Sequence, residues 1–172
     1  GVYYGMTPDF TEEIVKFKEF TDASMHIDGV LNKELNPDSY KRFMAVLFRP
    51  IVKEENGLIE LEAYNGTQEH YDKMGNIPAS VFKGAESFFF DFTGGLTEMF
   101  PDLYRKGRGI RNSSARKAFG AKWGWYGSAR NIAKASGETL DEVLNWPLMK
   151  ALVWLDYDAG ENDVINQESK NK

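Results

Sequence analysis

Residues 78–100 have the sequence PASVFKGAESFFFDFTGGLTEMF, and this segment indicates the class of the fold. Its large apolar residues recur every three or four positions, which is the spacing of one face of an α-helix. Those residues are Val81, Phe82, Ala85, Phe88, Phe89, Phe92 and Leu96. Proline suits the first turn of a helix, whereas Gly94 and Gly95 weaken its far end. The sequence therefore predicts a long helix from Pro78 to Phe100 whose phenylalanines pack in a core.

A second helix is predicted before this segment. Asn36 and Pro37 form a typical helix start, an Asn cap followed by proline at the first helical position. Apolar residues then follow from Phe43 to Phe48 and favour a buried helix. Pro50 ends it, because a residue that precedes proline avoids the helical region.

Three more helices are predicted in the last third of the chain. One runs from about Ala115 to Ala135 and is ended by Gly137, a common residue just past a helix. Thr139 begins a capping box for a short helix, and Pro147 begins the last one. Residues 101–118 contain glycines and small polar residues, and they are predicted to form a loop.

The β signal is confined to residues 51–64. A partly alternating segment, residues 58–64, follows the turn sequence Asn56-Gly57, and Asn65-Gly66 turns the chain again. The predicted fold is therefore mainly α, a compact helical domain with at most a short strand pair near residues 51–64.

Length and composition suit one domain. With 172 residues, of which 42% are apolar, the chain can bury a sizeable core. We predict an N-terminal segment over residues 1–36 that is irregular or an appendage, with a possible helix starting at Thr11. A helical domain over residues 37–157 and a flexible polar tail over residues 158–172 complete the division.

The sequence contains no motif that indicates catalysis. There is no cysteine, which excludes disulfides, thiolate metal sites and thiol nucleophiles. The two histidines, His26 and His70, are 44 positions apart, and residues 69–72 offer no second pair of metal ligands. Phosphate-binding and nucleophile-elbow motifs are missing, and no apolar run approaches the roughly 20 residues that span a membrane. We therefore expect a non-enzymatic protein without a metal or cofactor and without a membrane segment.

Charge is distributed unevenly along the chain. Residues 1–102 contain 18 acidic and 9 basic residues, whereas residues 103–137 contain no acidic residue and nine basic ones. The basic residues are Arg105, Lys106, Arg108, Arg111, Arg116, Lys117, Lys122, Arg130 and Lys134. Such a segment suits phosphates, an acidic partner or the protein's own acidic surface.

Aromatic residues are interleaved with this basic segment. Trp123 and Trp125 are two positions apart, so on a helix they point in different directions, one inward and one sideways. Three interpretations stay open: a solvated or intramolecular surface, a contact with a protein partner, or single-stranded nucleic acid held by phosphate contacts and base stacking. The candidate partner-binding residues are Arg105, Lys106, Arg108, Arg111, Arg116, Lys117, Trp123, Trp125 and Tyr126.

Two parts of the sequence resemble proteins of bacteriophage tail morphogenesis. The first is FMAVLFRPI at residues 43–51, followed by the turn EAYNG at residues 62–66 and the Phe-rich helix. The second is KWGWY at residues 122–126, then residues 129–137 and LNWPL at residues 144–148. This second pattern is similar to the C-terminal half of small helical phage tail assembly chaperones. The resemblance covers residues 38–157 and is one of residue classes.

The resemblance implies a non-enzymatic protein that binds the long helical tape-measure protein and guides tail assembly in the host cytoplasm. Residues before position 38 do not match the pattern, which leaves a structural virion protein (capsid, connector or tail) as the alternative. That alternative implies contacts with further copies of the chain. Nucleic-acid binding through residues 105–134 is a further alternative.

Overall fold

A computed structural model describes residues 4–6, 15–31, 37–74, 77–104 and 114–170, which form eight helices and three strands. The strands are β1 (Tyr4–Met6), β2 (Phe48–Glu55) and β3 (Leu58–Leu61). The helices are α1 (Phe17–Leu31), α2 (Pro37–Leu47), α3 (Gln68–Asp72), α4 (Ala79–Met99), α5 (Pro101–Tyr104), α6 (Ser114–Ser136), α7 (Leu140–Leu144) and α8 (Leu148–Lys170). The predicted mainly α fold is therefore confirmed.

The core is centred on α1 and α2, with α4 packed against both. Phe20 of α1 and Phe43 of α2 are buried, and each places its ring near that of Phe89 of α4, at centroid distances of 6.1 and 5.5 Å. The Phe43 and Phe89 rings meet edge to face, an arrangement that adds to the area they bury. The Phe-rich helix thus enters the core, as its spacing predicted.

The N-terminal segment differs from the prediction. Residues 22–36 were expected to be irregular, yet residues 22–31 belong to α1, which buries Phe17, Phe20 and Ile27. The apolar pattern is hard to recognise because α1 also buries polar residues. They are Glu19, Thr21, Asp22 and His26, whose partners come from distant parts of the chain. Residues 11–14, where a helix was predicted to start, lie outside the described residues.

The predicted strand pair is present as the β2–β3 hairpin. Asn56 and Gly57 have φ angles of 53° and 78°, the left-handed values that a two-residue hairpin turn requires. β2 begins at Phe48, which was expected to belong to the preceding helix. β1 pairs antiparallel with the start of β2 and adds a third short strand.

The last helix extends further than predicted. It begins after Pro147 as expected but continues to Lys170, through the segment that was predicted to be a flexible tail. Contacts one turn apart support this extension: the Tyr157 hydroxyl donates to Glu161 at 3.2 Å. Among the described helices, none combines the length and apolar character needed to cross a bilayer.

Backbone contacts tie α8 to α1. The Phe17 N–H donates to the Trp146 carbonyl at 2.9 Å, and the Leu148 N–H donates to the Val15 carbonyl at 2.7 Å. α5, in the segment predicted as a loop, is also held by α8, because the Leu103 N–H donates to the Asp156 carboxylate at 2.8 Å. These bonds hold both α1 and α5 against α8.

Candidate functional site

A cavity of about 300 Å³ lies between α1, α5 and α6. Its lining residues are Thr21, Ser24, Met25 and Asp28 of α1, Leu103 and Tyr104 of α5, and Gly120, Gly124, Trp125, Tyr126 and Ser128 of α6. The volume is at the lower end of the range for small-ligand pockets.

Helix α1 supplies one wall, which is mostly polar. Ser24 and Met25 follow Thr21 by three and four positions and precede Asp28 by four and three, so the four residues share a face. Thr21 is only 1% exposed, and its Oγ1 has no hydrogen-bond partner among the described residues. A buried hydroxyl without a partner costs about 1–3 kcal/mol. The Thr21 oxygen is itself buried, so it is an unpaired atom within the packing of α1 and does not face the open cavity.

Helix α6 supplies the opposite wall with residues that have little or no side chain. Gly120, Gly124 and Ser128 follow one another at four-residue intervals. Glycine often serves to let two helices approach closely, but a Cβ built at Gly120 or Gly124 would meet nothing within 4 Å. The two glycines therefore leave space instead of filling a tight helix contact.

We expect Gly124→Ala to stabilise the protein. Glycine inside a helix costs roughly 0.5–1 kcal/mol relative to alanine, and no neighbouring atom opposes the added methyl group. Urea unfolding should show a free energy of unfolding higher by about that amount. Gly137→Ala is the contrasting variant, because Gly137 has a φ of 77° and alanine is strained there. A lower free energy of unfolding for Gly124→Ala than for the wild type would mean that neighbouring atoms occupy the space beside Gly124.

Aromatic residues form the inner end of the cavity. The Trp125 ring packs edge to face on Phe20 at 4.9 Å and lies 6.1 Å from Phe17. The Tyr104 ring is 6.2 Å from that of Trp125, and burial raises the pKa of the Tyr104 hydroxyl to about 12. The Tyr104 hydroxyl is buried and has no partner among the described residues. The inner end is thus formed by two rings, with the Tyr104 hydroxyl buried behind them.

Exposed aromatic residues lie on α6 beside the cavity. Phe119 and Trp123 are one helical turn apart and remain 65% and 40% exposed. The Trp123 ring contacts that of Tyr126 at 5.9 Å. The expectation that one tryptophan packs inward and the other does not is confirmed, since Trp125 is half-buried against the core. We call Phe119 and Trp123 the α6 aromatic pair.

A buried carboxylate holds α6 in place against α1. Asp22 is 5% exposed, and it accepts hydrogen bonds from the hydroxyls of Tyr126 and Tyr64, both at 2.8 Å. Burial, together with the Asp22 charge, raises the pKa of both tyrosines well above the ordinary value. Both hydroxyls therefore stay protonated and remain donors. Asp22 joins α1, α6 and the segment after β3, and this role is structural.

Other ionisable groups, whether buried or half-buried, are also engaged in the fold. His70 is fully buried, and its Nε2 donates to the Ala45 carbonyl at 3.0 Å. Lys73 donates to both carboxylate oxygens of Glu62, at 2.9 and 2.8 Å, and this pairing lowers the pKa of Glu62. Across the part of the chain that the structure describes, no three His, Asp or Glu side chains are grouped so as to hold a metal ion.

The structure describes the side chains of only some of the partner-binding residues that were predicted from the sequence. Trp123, Trp125 and Tyr126 lie together on α6, and the latter two line the cavity. Arg116 and Lys117 lie in the first turn of α6, but their side chains are outside the described residues. The remaining four, Arg105, Lys106, Arg108 and Arg111, also lie outside the described residues.

Sequence reasoning missed the α1 wall and Tyr104. Thr21 and Asp28 precede the acid-free segment by 75 or more positions, so only the tertiary structure brings them to it. The glycine spacing was a usable signal, because Gly120 and Gly124 fall four apart inside a helix without an evident packing reason. Comparisons of the chain with protein-family models, curated proteins and solved structures found no match.

Proposed function

We propose that this protein is a non-enzymatic phage morphogenesis protein that binds a helical protein partner during tail assembly, in the manner of a tape-measure chaperone. The observation that carries the proposal is the α6 aromatic pair, Phe119 and Trp123, which is exposed on α6 and adjacent in sequence to Gly120 and Gly124 of the cavity lining. The sequence resemblance over residues 38–157 supplies the phage setting.

The α6 aromatic pair has the character of an interface anchor. Tryptophan and other aromatic residues contribute most to binding energy when an interface covers them, and they are costly to leave exposed. Trp123 lies between Gly120 and Gly124 of α6, and both of these glycines line the cavity. A partner that covers the pair would therefore also lie beside these two glycines.

The polar groups near the pair favour binding over chemistry. Asp22 is saturated by two tyrosines, and burial lowers the pKa of His26 to about 4, so His26 is neutral near pH 7. A general acid–base pair needs groups that exchange protons near the working pH and reach a substrate. Asp22 and His26 therefore do not form such a pair, and neither of them lines the cavity.

Co-purification and particle composition together test the proposal. The tagged full chain, expressed with the tape-measure protein of the same phage, should retain that protein on an affinity column. Mass spectrometry of purified particles should then lack the chain, because a chaperone leaves the assembled tail. Retention of the chain in particles would support the structural virion alternative. Failure to retain the tape-measure protein would contradict the proposal.

We expect Trp123→Ala to weaken partner binding by tenfold or more. Truncating an aromatic anchor typically costs about 2 kcal/mol or more of binding free energy. Tyr157→Ala is the matched control, because Tyr157 is an aromatic residue 68% exposed on α8. Titration calorimetry of the purified pair measures both variants. Equal losses for the two variants would show that the α6 aromatic pair is not the interface.

A further inference from the structure

We infer that two copies of this chain associate through an exposed stripe of α8 on one copy and an exposed stripe of α6 on the other. The inference does not depend on the proposed function, because it rests on the exposure, spacing and charge of residues on the two helices.

Helix α8 has apolar side chains on the face opposite the core. Leu152 and Leu155 are buried, whereas Val153, Tyr157 and Val164 are 58%, 68% and 55% exposed. The three exposed residues are four and seven positions apart, and such intervals return to the same face of a helix. Exposed apolar residues that share one face indicate an interaction surface.

The same face of α8 carries negative charge. Glu161 and Glu168 are exposed there, and residues 151–169 contain five acidic residues and no basic one. Neither glutamate forms an ion pair with any residue that the structure describes. The α8 outer stripe consists of Val153, Tyr157, Glu161, Val164 and Glu168. It suits a helix that combines large apolar side chains with positive charge.

Helix α6 has this combination on its own exposed face. Phe119 and Trp123 are followed on that face by Arg130 and Lys134, which are also exposed. Neither basic residue is in an ion pair within the described part of the chain, and α6 contains no acidic residue. The α6 outer stripe consists of Phe119, Trp123, Arg130 and Lys134.

The intervals of the two stripes match. Successive members of the α6 outer stripe are four, seven and four positions apart, and α8 repeats these intervals at Val153, Tyr157, Val164 and Glu168. Two helices that lie side by side and parallel in this register align the α6 aromatic pair with the first two apolar residues of α8. The register spans about 22 Å, at 1.5 Å for each residue.

The parallel orientation also pairs the charges. Arg130 then lies opposite the interval between Glu161 and Glu168, and Lys134 lies opposite Glu168. The antiparallel orientation instead sets Glu168 against Phe119 and both basic residues against apolar ones, so the charges lose water without gaining a partner. Charge complementarity therefore selects the parallel arrangement.

A second copy of the chain supplies the surface that each stripe lacks. Within one copy both stripes remain exposed, so its own α6 and α8 do not cover each other there. Every copy carries one stripe of each kind, and association of identical chains is the commonest form of oligomer. The matched intervals and opposite charges thus favour a second copy as the occupant.

Self-association of the full chain is measured by analytical ultracentrifugation over a series of concentrations. The weight-average mass should rise above that of the monomer as the concentration increases. Added salt should reduce the association, because the paired charges lie at the surface and are screened. A chain that sediments as a monomer at every concentration overturns the inference.

Reversing the charge of the α8 outer stripe tests the location. The double variant Glu161→Lys, Glu168→Lys should weaken self-association by at least about tenfold, because like charges then face each other. Asp91→Lys, Glu98→Lys is the matched control, since these residues are exposed on α4 and are also seven positions apart. Circular dichroism verifies that both variants are folded. Equal effects of the two double variants overturn the inference.

A charge exchange between copies tests the pairing itself. Arg130→Glu, Lys134→Glu should weaken self-association as the α8 double variant does. A mixture of these two variants should associate again, because the basic α8 of one meets the acidic α6 of the other and the second contact keeps its original charges. Two folded variants that stay dissociated in the mixture overturn the inference.

The inference and the proposed function can fail separately, although both involve the α6 aromatic pair. A chain that self-associates through these stripes but retains no tape-measure protein contradicts the proposed function and supports the inference. A chain that retains the tape-measure protein but stays monomeric supports the proposed function and overturns the inference.

Discussion

Asp22→Ala should lower the free energy of unfolding by about 3–5 kcal/mol. Two tyrosine hydroxyls, those of Tyr64 and Tyr126, lose a charged acceptor at once, and a hydrogen bond to a charged group contributes about 1.5–3 kcal/mol. Natural domains are stable by about 5–15 kcal/mol, so the loss is a large fraction of the total. Urea unfolding monitored by circular dichroism measures it.

Two further variants test whether Asp22, Tyr64 and Tyr126 act as one hydrogen-bond network. Tyr126→Phe removes one of the two bonds and should cost about 1.5–3 kcal/mol. Combined with Asp22→Ala it should cost little more, because the bond is already absent. Asp91→Ala, at an exposed position of α4, should change stability by less than about 0.5 kcal/mol. Additive losses in the double variant would refute a shared network.

The protein should lose about 3 kcal/mol of stability between pH 6.5 and pH 4 through His26 alone. Burial, opposed by the Asp22 charge and assisted by that of Arg42, lowers the pKa of His26 from 6.5 to about 4. The unfolded chain therefore binds this proton more readily than the folded one. Stability is present above pH 6.5 and is lost as the pH falls toward 4, at about 1.4 kcal/mol per pH unit.

His26→Gln provides the comparison, since glutamine is polar but does not titrate in this range. Its free energy of unfolding should vary less with pH between 6.5 and 5, where the carboxylates of the unfolded chain are still ionised. Chemical unfolding at several pH values measures both proteins. Parallel pH profiles for the two, or an NMR titration of His26 near pH 6.5, would exclude this source of pH dependence.

Local signals predicted much of the fold. The capping box at Thr139 is formed as expected, with its hydroxyl and the Glu142 carboxylate capping each other's backbone N–H groups. The helix predicted over residues 115–135 spans Ser114–Ser136. In each case the residues that determine the structure lie within a few positions of one another, so a short stretch of sequence is enough to predict it.

Helix α1 was not predicted at its full extent for the opposite reason. This helix buries Asp22 and His26, residues that belong on a surface unless they have partners. The partners of Asp22 are 42 and 104 positions away. Apolar periodicity counts apolar residues and cannot predict a buried carboxylate that distant tyrosines stabilise by donating hydrogen bonds.

The candidate site likewise has residues that the sequence predicted and residues that only the structure identified. Sequence alone identified Trp123, Trp125 and Tyr126, because aromatic residues in an acid-free segment are visible in the chain itself. It also determined the mainly α class through apolar spacing, which is a local property of each helix. Only the tertiary structure decided that Thr21 and Asp28 line the same cavity as Gly120 and Gly124. A cavity is empty space between elements, and its position depends on how α1, α5 and α6 pack, which no stretch of one helix encodes.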